Sequence, residues 1–340
     1  MEMRTLGRTG VKVSPLCLGA MMFGAWGNTD HDESIRIIHR ALDAGINFID
    51  TADVYGAGES EEIVGKALAG GRRDDIVLAT KFHNPMGEDP NRRGNSRRWI
   101  IRAVEDSLRR LGTDWIDLYQ LHRPDPHTDI DETLGALTDL VQQGKVRYIG
   151  SSSFSAGQIV DAQWVARERG FERFRTEQPP YSLLTRGIEL DVLPTAQRHG
   201  MGILTYSPLG GGWLSGNWSA DSSPTSPARQ RLAARFDMDL PDNQRKLEAV
   251  DQLTKVADGA GISMIELAIA FVTSHPAVTA AIIGPRTLEQ LDSQLPAAAV
   301  ELDDATLDRI DEIVAPGVTI NPADNSYGEQ VLSRAARRRA

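Results

Sequence analysis

Eight times between Leu16 and Ile283 a short apolar run gives way to a stretch with helical periodicity, and this repetition narrows the fold more than any single motif does. The runs are Leu16–Gly19, Phe48–Asp50, Ile76–Lys81, Ile116–Leu121, Tyr148–Ser151, Arg175–Gln178, Ile203–Tyr206 and Ala280–Ile283. They do not alternate strictly between apolar and polar residues, as expected of parallel strands buried on both faces. Between them, Ile35, Ile38, Ala41 and Leu42 recur at helical spacing, as do Leu134, Leu137, Leu140 and Val141. Ser60 ahead of Glu61 and Glu62 reads as a helix start, and Gly144 after Gln143 as a stop. Eight such units with right-handed crossovers close most economically into an α/β (β/α)8 barrel, a single domain over residues 1–340.

Two open-sheet dinucleotide-binding domains are the rival arrangement. They would place G-x-G-x-x-G after an early strand, and Gly210–Gly216 fails that pattern because Ser215 takes the third position. A phosphate loop of the G-x-x-x-x-G-K type fails likewise, since Ser60 stands where the first glycine belongs. Ahead of the first run, "MRTLGRTGVKVS" predicts a β-hairpin around Gly7–Gly10 that plugs the barrel. Two connections, 83–95 and 207–242, are longer than most strand-to-helix loops. Both follow strands, so both should overhang the C-terminal face, where barrels build their sites.

Acidic residues number 47 against 37 basic, a net charge of −10, which repels phosphate backbones and anionic lipid and so argues against nucleic acid or membrane as the main partner. The basic run Arg334–Arg339 in the tail 315–340 reads as solvated. Cys17 is the only cysteine, so an internal disulfide and a cysteine metal cluster are both excluded, and a reducing cytoplasm is expected. "SPLCLGAMMFGAWG" imitates a signal peptide, but Pro15 and its glycines suit a buried strand with its following loop.

Chemistry is concentrated where the runs end. Asp50 and Tyr55 follow the second, Lys81 ends the third and His122 follows the fourth. A barrel would gather these four ionisable groups in a place where burial is costly without partners. Asp50 pairing with Lys81 would keep an ammonium beside Tyr55 and lower the pKa of the phenol towards neutrality. His122 could donate a second hydrogen bond to a carbonyl oxygen or relay a proton. The assembly reads as a proton donor aimed at a developing alkoxide, and it requires a hydride source. A metal site built from Asp50, His83 and His122 is the competing reading, disfavoured by the presence of only 7 histidines.

These residues sit in blocks that name a family. "GINFIDTADVYGAGESEEIVGKAL", "IVLATK", "WIDLYQLHRPD", "GKVRYIGSSSF", "EQPPYSLL", "LTYSPLGGGWLSG" and "AIIGPRTLEQL" together resemble the aldo-keto reductases over residues 3–296. The resemblance implies reversible NADP(H)-dependent interconversion of a small-molecule aldehyde or ketone and its alcohol, with NADH the less favoured cofactor. Tyr55 would be the general acid, Asp50 and Lys81 its tuning pair, and His122 the group that orients the carbonyl. Ser152, Ser153 and Gln178 would hold the carboxamide and Tyr206 would stack on the nicotinamide. Asp50 and Met21 would also border the cofactor. Ser207, Pro208, Leu209, Gly210 and Gly212 would follow the pyrophosphate, while Gly284, Arg286, Gln290 and Gln294 would surround the adenosine. Arg286 would bind the 2′-phosphate. The chain departs from the family pattern at Ser153, where Asn is usual, at Ser293, where Glu is frequent, and at Gln294, where Asn is common. Trp26, Phe82, Trp213 and Trp218 lie in loops expected to wall the substrate pocket. Two alternatives remain: an NAD-linked sugar or alcohol dehydrogenase, and a cofactor-binding regulatory subunit resembling the potassium-channel β subunits. Those subunits carry Asn at the place of His122.

Overall fold

The chain begins with a two-stranded antiparallel hairpin, β1 (Arg4–Thr5) and β2 (Lys12–Val13), seen in a computed structural model that describes residues 1–216, 218, 232–325 and 337–338. Eight parallel strands follow and close on themselves: β3 (Leu16–Gly19), β4 (Phe48–Asp50), β5 (Val77–Phe82), β6 (Ile116–Leu121), β7 (Val146–Ser152), β8 (Thr176–Gln178), β9 (Gly202–Thr205) and β10 (Val278–Ile283). β10 pairs back onto β3, so the barrel has no open edge. The expected runs match these strands with ends that differ by at most two residues.

Helices α1 (His31–Asp43), α2 (Glu59–Leu68), α3 (Arg97–Leu111), α4 (Ile130–Gln142), α5 (Ala156–Arg169) and α6 (Val192–His199) each follow a strand. α7 (Pro241–Ala260) and α8 (Met264–Ser274) both lie between β9 and β10, and α9 (Leu288–Gln294) and α10 (Asp304–Ile313) follow the last strand. One start signal is corrected. α2 begins at Glu59 after a left-handed Gly58, and the Ser60 hydroxyl is not its cap; it donates to the Ala20 carbonyl at 2.8 Å. Among the described residues no single helix is long and apolar enough to cross a membrane.

Side chains in a strand alternate between two faces, so each barrel strand sends one set inward and the other towards the helices. The outward set forms the large core with the helices. Cys17, Phe48, Ala79, Leu118, Leu204 and Ala280 form a separate, smaller cluster within the barrel, joined by Leu6 and Val13 of the hairpin. The hairpin closes the N-terminal end as expected, with the Arg8 amide donating to the Gly200 carbonyl at 3.0 Å. Gly7 has φ +54 and approaches so closely that an added Cβ would come 2.6 Å from the Gly202 nitrogen.

The expected C-terminal tail is not free along its first part. The Arg186 amide donates to Val318 and the Ile320 amide to Leu184, which fastens the segment after α10 onto the loop that follows β8. Most of the basic run lies outside the described residues, as do residue 217 and residues 219–231 of the long 207–242 connection.

Candidate active site

Two residues above the apolar cluster, the same inward positions turn polar. Phe48, Ala79 and Leu118 are followed by Asp50, Lys81 and Gln120, all buried. The Lys81 ammonium meets three acceptors, Asp50 Oδ2 at 2.5 Å, the Thr51 carbonyl at 2.8 Å and Tyr55 Oη at 3.2 Å. Its three donors are thereby satisfied. Because Lys81 donates to the phenolic oxygen, the proton on that oxygen is available for another acceptor. Asp50 Oδ1 in turn accepts from Gln178 Nε2 at 2.9 Å and Gln120 Nε2 at 3.2 Å.

The chain beyond β4 fixes the tyrosine. Thr51 and Asp53 continue to pair with β5 through the Ala79 and Lys81 carbonyls. A tight turn with left-handed Gly56 and Ala57 then carries Tyr55 over the lysine. Trp26 and His122 both pack against the Tyr55 ring, with centroids 5.7 Å away in each case. Asn84 Nδ2 donates to His122 Nδ1 at 3.0 Å, which leaves the imidazole proton on Nε2.

Electrostatics refine the expected roles. Burial works against the Lys81 ammonium, yet the charges of Asp50 and Tyr55 outweigh it and hold its pKa above the ordinary lysine value. Burial likewise depresses His122 well below 6.5, helped by the charges of Lys81 and Arg123, so the imidazole is neutral. Neutral His122 is suited to donating a hydrogen bond and poorly suited to carrying a relayed proton. The expectation of a Tyr55 pKa lowered towards neutrality is overturned. Burial raises it above 10, and the opposing Lys81 charge does not cancel that effect. A protonated phenol beside a permanent ammonium is still an acid, because the cation stabilises the phenolate formed once the proton has left.

The strand ends across the barrel carry the expected cofactor residues. Four non-glycine residues have positive φ among the described residues: Ala57, His83, Ser153 and Ser207, each in the loop just after a strand. Strain of that kind at one rim is typical of a binding site. Ser152 Oγ donates to the Gln178 carbonyl at 2.9 Å, and Ser153 Oγ lies 3.4 Å from Tyr206 Oη. The Gly210 and Gly212 amides donate to the Ser207 and Leu209 carbonyls within their own turn, both at 2.9 Å. Pro208 is buried beside them, and Met21 is exposed on the loop after β3. Nothing lies within 4 Å of a Cβ added to Gly284. The Arg286 side chain is exposed, while its amide donates to Gln290 Oε1 at 2.8 Å and its carbonyl accepts from Asn28 at 2.8 Å. Gln294 is buried with Oε1 lacking a partner among the described residues. An open glycine, an exposed guanidinium and an orphaned buried acceptor on one side of the rim suit a nucleotide's adenosine end.

The aldo/keto reductase family model matches residues 15–315. The chain belongs to that family. The oxidoreductase YrpG of Bacillus subtilis, named as uncharacterized, is 44% identical over 324 residues, covering 92% of this chain and 96% of the relative. The aldo-keto reductase YhdN of the same organism is 39% identical, covering 86% of this chain and 87% of the relative. A probable voltage-gated potassium channel subunit beta of Arabidopsis thaliana is 35% identical, covering 92% and 97%.

Among these reductase positions, two expected pocket aromatics are elsewhere. Phe82 follows inward-facing Lys81 and therefore points outward, fully buried and stacked on Tyr119 with centroids 4.7 Å apart. Trp213 is also fully buried, packed on Trp218 at 4.4 Å and on the Lys246 ammonium at 4.3 Å. Trp26, 38% exposed, packs on the Tyr55 ring. Asp50, His83 and His122 do not converge, since Asp50 is turned to Lys81 and His83 Nδ1 to Asn95 at 2.9 Å.

Sequence reasoning missed Gln120 and Asn84, neutral amides whose importance lies in what they touch. Gln120 precedes His122 by two positions in an inward register, a signal available once strand parity is applied. It also missed a buried group outside the barrel wall. Glu61 accepts from Arg110 Nε and Thr80 Oγ1, both at 2.6 Å. Near it Asp53 is buried with neither carboxyl oxygen hydrogen-bonded to a side chain among the described residues, and burial followed by the Glu61 charge raises its pKa well above the usual carboxylate range.

Proposed function

We propose that this protein reduces aldehydes or ketones with NADPH, Tyr55 supplying the proton. The observation that carries the reading is Lys81 donating at once to Asp50, Thr51 and Tyr55. A bound nicotinamide supplies the hydride. Tyr55 Oη transfers its proton to the developing alkoxide, and the Lys81 ammonium stabilises the phenolate left behind. Asp50, held by Gln120 and Gln178, keeps the ammonium in place. His122, with Nδ1 tied to Asn84, presents Nε2–H to the carbonyl oxygen. Gln178 Oε1 and the Ser152 hydroxyl would take the carboxamide, Tyr206 the nicotinamide face, and Arg286 the 2′-phosphate. The free buried Cys17 accords with a cytoplasmic site of action.

Steady-state oxidation of NADPH and NADH with a panel of aldehydes tests the reading, for the unaltered protein and Arg286→Ala. The expected result is turnover with a preference for NADPH, and a loss on the order of ten- to a hundredfold with NADPH alone in the variant. Equal loss with both cofactors would refute the phosphate role. A second reading follows from similarity to the potassium-channel β subunits, namely cofactor binding with little turnover. His122 tells against it, and tight NADPH binding without aldehyde turnover would establish it instead.

A further inference from the structure

Arg123 directly follows His122 and is not used by the chemistry above. Its carbonyl accepts from Asn95 Nδ2 at 3.1 Å, which ties its backbone to the long 83–95 loop. Its guanidinium donates to Ser153 Oγ, in the loop after the next strand, and Ser153 in turn neighbours Tyr206. The cation is therefore held at the rim, and its charge is felt at Tyr55, His122 and His83 alike. Among the described residues no carboxylate lies within ion-pair distance of it. A half-buried guanidinium without a counter-ion is costly, and the cost is offset when a ligand supplies the anion. The donors not directed at Ser153 form a fork suited to a carboxylate.

We infer that Arg123 selects carbonyl substrates that carry a carboxylate, its guanidinium taking the anionic group while Tyr55 and His122 hold the carbonyl oxygen. This rests on the carbonyl-reductase reading and names its substrate class. Ser153, where the family usually has Asn, then has a use of its own, since its hydroxyl anchors the guanidinium.

The test compares para-carboxybenzaldehyde with para-nitrobenzaldehyde at saturating NADPH, using the full chain, Arg123→Met and Arg123→Lys. Arg123→Met is expected to raise KM for the carboxylated aldehyde on the order of ten- to a hundredfold while that for the nitro compound stays within about twofold. Arg123→Lys should recover part of the loss, because it keeps the charge but not the fork. Benzoate should compete with the nitro aldehyde in the unaltered protein and lose that effect in Arg123→Met. Parallel losses on both aldehydes would make Arg123 merely structural, and a raised KM for NADPH would assign it to the cofactor; either overturns the proposal. Failure of the reductase reading itself has a different signature, absence of turnover of both aldehydes by the unaltered protein.

Discussion

The lower and upper halves of the barrel interior are built from the same strands, in the same register, two residues apart, yet they are opposites. Phe48, Ala79 and Leu118 form a dry layer sealed by the hairpin, whereas Asp50, Lys81 and Gln120 form a fully hydrogen-bonded polar one. A pattern based only on hydrophobicity would continue the first layer upward. That it breaks on three adjacent strands, each towards its C-terminal end, where barrels build their sites, is what sets the candidate site in the upper layer. The lower layer tolerates loss of shape at a cost in stability. The upper layer tolerates no loss of a partner, because each group there satisfies another.

The comparison can be broken most severely at Lys81. Lys81→Met leaves Asp50 buried without its cation, and the expected outcome is loss of about 3–5 kcal/mol in denaturant unfolding together with near-complete loss of turnover. A stable, active variant would mean that the upper layer behaves like the lower. Tyr55→Phe should separate the two properties: kcat falls by about a hundred- to ten-thousandfold while the unfolding midpoint changes little. Phe48→Ala is the converse, costing about 3–5 kcal/mol in unfolding while the folded fraction keeps its KM.

The rule that a buried carboxylate needs a cation is sharpened by Asp53. Its pKa is raised in the folded protein, so folding holds a proton there that the unfolded chain releases at ordinary carboxylate pH, and stability falls as pH rises through that window. Asp53→Asn should therefore raise the thermal midpoint near neutral pH and lose that advantage in acid, as scanning calorimetry would read. The smallest effect concerns the pH profile of kcat. His122 is depressed and Tyr55 raised, so between roughly 6.5 and 10 neither changes charge and a plateau is expected. A limb centred near neutrality would contradict both assignments.

Most of the strands were legible as short apolar runs, the polar β8 (Thr176–Gln178) only from its place in the repeat, and Lys81 was legible because a lysine ending "IVLAT" needs an acid. What the sequence concealed has a common cause. Phe82 and Trp213 look like loop aromatics, and only strand parity for one and the buried Lys246 for the other shows that they turn into the protein. Gln120 is uncharged and raised no alarm. Glu61 and Arg110 are far apart in sequence, so their pairing is a product of the fold. The direction of the Tyr55 shift depended on weighing burial against one nearby charge, and residue spacing contains no measure of burial.

The hairpin beneath the barrel has a practical consequence. It holds Arg4 on the side opposite the mouth formed by Tyr55, His122 and Trp26, the guanidinium donating to the Val278 carbonyl at the start of β10 at 3.1 Å. A tether attached ahead of Met1 would present the molecule to a surface by its floor, with the mouth facing the bulk solution. Immobilised in that orientation, the protein should admit substrate as freely as it does in solution.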